Sequence, residues 1–349
     1  MKIEKVKYNE TEYIRISDEG FNYTCGYYSQ NRWVDDERLV LLRYRNLPQD
    51  KFYGCAELIL LNLNDGTHKV LVQQENKMNI TNVVYGNMLY YADDDLLCSI
   101  NIDTLEKNVI CRSAEPIDLP HMTSDGRYIN WSFENAKNGQ TCYRVDLETG
   151  EVIEMFKKSF LKPFDVANHM MICPTNPDLM FFSHEGDARY ITNRLWLAPL
   201  GEECYNIAPQ RLDENGNLID CFGHESWGAD GKGLYFVKYK CSPSRPNGIG
   251  YVDVKTRQSD ILYTNYDYWH VSAAPNGKYL AADLDSTGTG VSGVCLIDVV
   301  NNTEKLLVRV RNNNKHPGHP HPQFNPSCNK ICFNEVIDEN TVTVGIINI

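Results

Sequence analysis

The sequence has no apolar run near the roughly 18 residues that cross a bilayer. Its start, Met1-Lys2-Ile3-Glu4-Lys5-Val6-Lys7, lacks the apolar core and small-residue cleavage site of a secretory signal. Both absences place the chain as given in the cytoplasm, without a membrane partner. No Cys-x-x-Cys occurs among the 12 cysteines. The closest pair, Cys328 and Cys332, straddles a turn and does not form a metal knuckle, so the cysteines read as reduced core residues. No segment longer than about ten residues shows a capped 3.6-residue period, which leaves little room for helix. Positive charge is also short: Lys plus Arg number 34 against 46 Asp plus Glu, a formal net charge of -12. That field repels nucleic acid, so any anionic ligand must be met by a local pocket of Arg, His or bound metal.

What is abundant is aromatic side chain, with 21 Tyr, 12 Phe and 5 Trp in 349 residues, a composition that favours strands. A Gly, Asn or Asp turn ahead of an apolar β run recurs seven times: Asp36-Glu37, Gly86-Asn87, Asp125-Gly126, Asn176-Pro177-Asp178, Asp230-Gly231, Asn276-Gly277 and Asn325-Pro326. Each unit continues with a third strand and a further turn, as in Cys142–Asp146, Glu148-Thr149-Gly150 and Glu151-Val152-Ile153. Short strands joined by tight turns at a period near 50 predict an all-β, seven-bladed β-propeller with four-stranded blades. Residues 1–349 then form one domain. The run 12–16 supplies the partner that the last strand, 342–347, lacks, and closes the ring. Two stacked β domains are the alternative.

Only 9 histidines occur, and His316, His319 and His321 share the stretch Lys315-His316-Pro317-Gly318-His319-Pro320-His321-Pro322. Residues two apart in an extended strand face the same side, so His319 and His321 pair, and His316 can fold back over them. Prolines stiffen the stretch, and imidazoles held on one face suit a divalent transition metal. His224, His270 and His319 each lie six residues before a repeat turn, at Asp230, Asn276 and Asn325. This places them at one position in three consecutive blades. A solitary histidine before a strand is more often a packed, hydrogen-bonded residue, and His68, His121 and His169 are assigned that role. His184 opens the loop His184–Tyr190 near the same mouth. Arg194, taken alone, reads as a solvated loop charge, and Trp196, Trp227 and Trp269 read as blade packing.

The combination Phe181-Phe182-Ser183-His184-Glu185-Gly186, Asn193-Arg194-Leu195-Trp196, His224-Glu225-Ser226-Trp227, His270 and His319-Pro320-His321-Pro322-Gln323-Phe324 resembles the oligogalacturonate lyases. The motifs cover roughly residues 170–335. The resemblance implies a seven-bladed propeller that cleaves short uronate oligosaccharides by β-elimination with manganese. It implies metal ligands at His270, His319 and His321, with His316 standing where the family has glutamine, a departure that admits another transition metal. It further implies His224 as base, Arg194 as active-site arginine and His184 as a substrate contact. A TolB-like binding scaffold and a metal-dependent uronate epimerase are the competing readings.

Overall fold

The computed structural model describes residues 1–46, 56–74, 82–135 and 139–349. The chain divides into two compact units: Met1–Tyr91, Cys98–Val109 and Ala274–Ile349 form one, Ala92–Leu97 and Ile110–Ala273 the other. No helix occurs among the described residues, and the strands sort into seven sheets in which chain neighbours lie side by side. Six sheets have four strands and span 22–74, 82–112, 118–158, 166–206, 222–263 and 268–311. The seventh combines strands from both chain ends, 323–324, 330–338 and 341–348 with 2–8 and 11–17. The fold is therefore all-β, a seven-bladed β-propeller.

Side-chain pattern explains the order of strands within a sheet. The second strands read as unbroken apolar runs, and Leu39, Val40 and Leu41, like Phe181 and Phe182, are fully buried. A strand covered on both faces needs apolar residues at every position instead of at alternate ones. The fourth strands run the other way. Lys107–Arg112 and Ser259–Tyr263 are mostly exposed, and their polar residues keep an outer edge soluble.

Six of the seven repeat turns join or precede strands where the repeat places them. The exception is Asn176-Pro177-Asp178, which already belongs to the strand Asn176–Glu185. The turn lies at 174–175, and the pairing slips between Ile172 and Cys173. Asn176 mimics turn grammar because its Oδ1 accepts the N–H of Asp178, a local bond that Asn makes at a strand start as readily as in a turn.

The strand Thr11–Ser17 pairs with Thr341–Asn348, Tyr13 opposite Ile347 and Ile16 opposite Val344. Lys2–Tyr8 adds a further strand outside it. A charged clamp reinforces the junction. Arg15 donates from Nε to Glu335 Oε2 at 2.9 Å and from Nη2 to Oε1 at 2.6 Å, and Tyr13 donates its hydroxyl to the same carboxylate at 3.0 Å. Both ends of the chain are held by this two-pronged, largely buried pair, so Arg15→Ala is expected to cost about 2 kcal/mol, the scale of a hydrogen bond to a charged group. A fall in thermal midpoint, absent in a distal surface Arg→Ala control, checks it.

Candidate active site

Two groups of side chains carry the chemistry, one in each unit. In the unit containing Ile110–Ala273, the strand Phe222–Trp227 pairs as Gly223 with Val237 and then Ser226 with Tyr235. His224 and Glu225 thus occupy a bulge opposite a single residue, and His224 takes a φ of +47°. The bulge turns both side chains out of the sheet's regular alternation. A bulge recurs in Val166–Cys173 between Asn168 and Met171, where His169 has a φ of +54°.

The His224 ring is oriented by its surroundings. Its Nδ1 lies 2.6 Å from the carbonyl of Trp269 and 2.7 Å from the Tyr239 hydroxyl. A carbonyl can only accept, so Nδ1 carries the proton and Nε2 keeps the lone pair. Gly223 makes this possible, because a Cβ there would fall 2.1 Å from the Tyr239 hydroxyl. Burial, followed by the neighbouring His270, His169 and Arg194, holds the His224 pKa well below the usual imidazole value, against the pull of Glu225. The ring is neutral. Its centroid lies 4.0 Å from that of His270 and 6.1 Å from that of His169.

Beside it stands a carboxylate clamp. Arg194 is 2% exposed, which corrects its reading as a solvated charge. Its Nε donates to Glu225 Oε1 at 2.8 Å, and its two terminal nitrogens donate to the oxygens of Glu185 at 3.0 and 3.1 Å. Glu225 is fully buried, and its other oxygen lies 3.1 Å from Nδ1 of His169. His169, assigned above to packing, is therefore a member of this polar cluster. Only the residues around Glu225, 31 and 56 positions away in sequence, reveal it. His184 is also held by polar partners. Its Nδ1 meets Asn193 Oδ1 and its Nε2 the carbonyl of Phe164, both at 2.7 Å, while its ring stacks on Phe160. Both ring nitrogens are thus engaged within the chain, and His184 fixes its loop.

In the other unit, the rings of His316, His319 and His321 lie together, with centroid separations of 4.9, 5.2 and 5.8 Å. The stretch is irregular backbone before the short strand Gln323–Phe324, and His321 has a φ of +46°. Buried polar side chains hold it. Asn334 donates to the carbonyl of His319, while its own N–H bonds Pro320 O. Asp283 accepts the N–H of His321, and Gln323 donates to the carbonyls of Cys25 and Tyr27. Prolines left few backbone donors here, so side chains supply the bonds. The His321 Nδ1 lies 3.0 Å from the carbonyl of Gly26, which again leaves the lone pair on Nε2. Gly26, at φ +80°, cannot be replaced without meeting the Arg32 guanidinium 2.1 Å away. Tyr27 and Tyr28 approach His321 at 4.9 and 5.8 Å between centroids, so the loop after Asn22–Thr24 borders the histidines.

The repeat phase needs one correction. The hydrogen bond across the first turn of a sheet runs from Gly228 to Gly233, from Ala274 to Tyr279 and from Asn325 to Lys330. Counting back four residues from each donor gives His224, His270 and His321. Asn325 thus corresponds to Gly228, not to Asp230, and His319 precedes the shared position by two.

Among the described residues, no group of three or more His, Cys, Asp or Glu side chains is placed to hold a metal ion as it stands. The donor set nevertheless fits a divalent transition ion. The His319 imidazole is neutral at working pH, burial and His316 lowering its pKa to about 4 despite Asp283, and a neutral ring is what such an ion binds.

The Glu225 carboxyl generates a prediction of its own. Burial raises its pKa, but Arg194 and the bond to His169 outweigh that and bring it down to about 2. A depressed carboxyl stabilises the fold fully above its unfolded value of about 4.3 and loses that contribution as pH falls towards the folded value. Glu225→Gln should flatten the decline of thermal midpoint between about pH 4 and pH 2. It should also lower the midpoint at neutral pH, because Arg194 loses a buried partner.

No family model matches the chain, and no curated protein does. Solved structures do. An oligogalacturonate lyase in complex with manganese superposes with a TM-score of 0.81 at 20% identity, covering 100% of this chain and 96% of that one. The oligogalacturonate lyase of Vibrio parahaemolyticus gives 0.79 at 18%, covering 99% and 96%. TolB from Acinetobacter baumannii reaches 0.50 at 12%, with 84% and 76% covered. The likeness suggested by histidine motifs in residues 170–335 thus extends, as a fold, along the whole chain: in structure it is similar to the oligogalacturonate lyases.

Proposed function

We propose that the protein is a divalent-metal-dependent lyase that cleaves short uronate-containing oligosaccharides, oligogalacturonate-like, by β-elimination. The observation that carries this reading is His224: a half-buried, neutral imidazole whose Nδ1 proton is committed to a backbone carbonyl, so that Nε2 keeps the lone pair a base uses. The proposed metal ligands are His316, His319 and His321, with His270 added by the resemblance. Manganese, held in one similar structure, is the first candidate. When bound, the cation supplies a Lewis acid for the substrate carboxylate.

The chain's own groups then do the following. His224 Nε2 takes the proton at C5, alpha to the carboxylate. The electron pair left at C5 forms the C4–C5 double bond and expels the O4 glycosidic oxygen, leaving a 4,5-unsaturated uronate. Arg194 acts at one remove, as a positioning residue: its guanidinium is spent on Glu185 and Glu225, which in turn hold His169. Hydrolysis needs one carboxyl as acid and a second as base or nucleophile. The carboxylates of Glu185 and Glu225 are both locked on Arg194, so neither suits that task. A net charge of -12 agrees with a cationic centre as the anchor for an acidic substrate.

Incubation with di- or trigalacturonate and manganese should raise the ultraviolet absorbance of the unsaturated product. Metal-loaded protein that gives no such signal with any uronate oligomer overturns the lyase reading. His224→Ala is expected to lower turnover by at least about 10²-fold with metal content retained, whereas His319→Ala, His321→Ala and His270→Ala lose metal and activity together. Metal analysis of the purified variants separates the two groups.

A further inference from the structure

Most described cysteines are buried, but Cys241 is exposed. Cys221 immediately precedes the strand that carries His224. Across the hairpin, Tyr239 donates its N–H to the Cys221 carbonyl at 2.8 Å. The chain then turns, Ser242 N–H to Tyr239 O at 3.0 Å, and brings Ser242 back onto Cys221. There the Cys221 N–H donates to Ser242 Oγ at 2.9 Å, and that hydroxyl reaches the Cys221 carbonyl at 3.4 Å. Cys241 sits inside this turn. Backbone bonds on both flanks therefore hold Cys241 beside Cys221, near enough for each thiol to shift the other's titration.

We propose that Cys221 and Cys241 form an oxidation site, with Cys241 the exposed attacking thiol and Cys221 the buried resolving thiol, which closes to a disulfide under peroxide. The asymmetry of the pair gives the direction. Cys241 is exposed where peroxide can reach it and Cys221 is buried behind it, and the neighbouring Cys221 and Arg189 lower the Cys241 pKa to about 7 against the effect of burial. A thiolate is the nucleophile in such chemistry. Its sulfur attacks one peroxide oxygen, the O–O bond breaks, and a proton completes one water, leaving a sulfenic acid on Cys241. The Cys221 sulfur then attacks the Cys241 sulfur, and the sulfenic hydroxyl leaves with the Cys221 proton as a second water. Two thiols are oxidised by two electrons, and one peroxide is reduced. The bond would tie the turn to the first strand of its sheet, three residues before His224. The same turn carries Tyr239, whose hydroxyl meets the His224 ring.

The test uses the reduced full-length protein with limiting hydrogen peroxide. The expected product is lighter by two hydrogens, and its digest joins the peptides of residues 221 and 241 until a dithiol reductant separates them. In the untreated protein, Cys241 should react with iodoacetamide at least about tenfold faster than the other cysteines. Cys221→Ser should stop at a sulfenic acid on residue 241, trapped by dimedone, and Cys241→Ser should form neither. Oxidation first at another cysteine, or a Cys241 sulfenic acid that persists in the presence of Cys221, overturns the proposal. None of these readouts depends on turnover, so they stand or fall apart from the lyase reading.

Discussion

One backbone hydrogen bond, repeated across the first turn of a sheet, sets the terms for the candidate site. It joins Gly228 to Gly233, Ala274 to Tyr279 and Asn325 to Lys330, and four residues before each donor stands a histidine. A strand offers only two side-chain directions, so a fixed distance from a fixed turn gives each imidazole a defined place in its own sheet. Bulges then do what regular pairing cannot. At Gly223–Ser226 an additional residue rotates His224 and Glu225 out of register, and the positive φ of His224 is the local cost, met by bonds to Trp269 and Tyr239.

Polar groups around the site are held by other polar groups, and each carries a specific burden. Asn334 accepts from Thr24 and Cys25 while donating to His319, so one fully buried amide links the strand Asn22–Thr24 with the His-Pro-His stretch. Glu225 links Arg194 with His169 in the same manner. Removing either side chain leaves several buried donors or acceptors unmatched, which costs more than the bonds themselves contribute. These residues are structural in contact and functional in consequence, because ring orientation decides which imidazole nitrogen is a base or a ligand.

The fold was legible because turn chemistry and apolar runs are local. Asp125-Gly126 and Asn276-Gly277 announce their turns in two letters, and strands such as Leu39–Leu42 show burial on both faces by continuity alone. Asn176-Pro177-Asp178 misled for the same reason, since the Asn176 side chain makes its local bond inside a strand. The histidine triplet was legible from its clustering, but its phase was two residues off: Pro326 and Ser327 make the last turn look like Asp230-Gly231 shifted along the chain. The carboxylate partners of Arg194 and His169 were not legible. These are Glu185 and Glu225, whose approach depends on sheet stacking that no window of sequence contains. The bonds of His184 were hidden too, because its partners Phe164 and Asn193 are unremarkable residues brought together by a loop.

Charge placement joins these observations. An acidic chain repels an acidic substrate until the approach is close, so selectivity must come from a short-range cationic centre and not from the overall field. The arginine best placed by sequence to supply it is neutralised by two carboxylates. That leaves His224 and His319, whose pKa values burial lowers, and which carry no cation of their own. Arg194, His224 and His319 thus bring no net positive charge. On the proposed lyase reading, a bound metal ion would supply that charge without protonating an imidazole base, which a protonated histidine could not do.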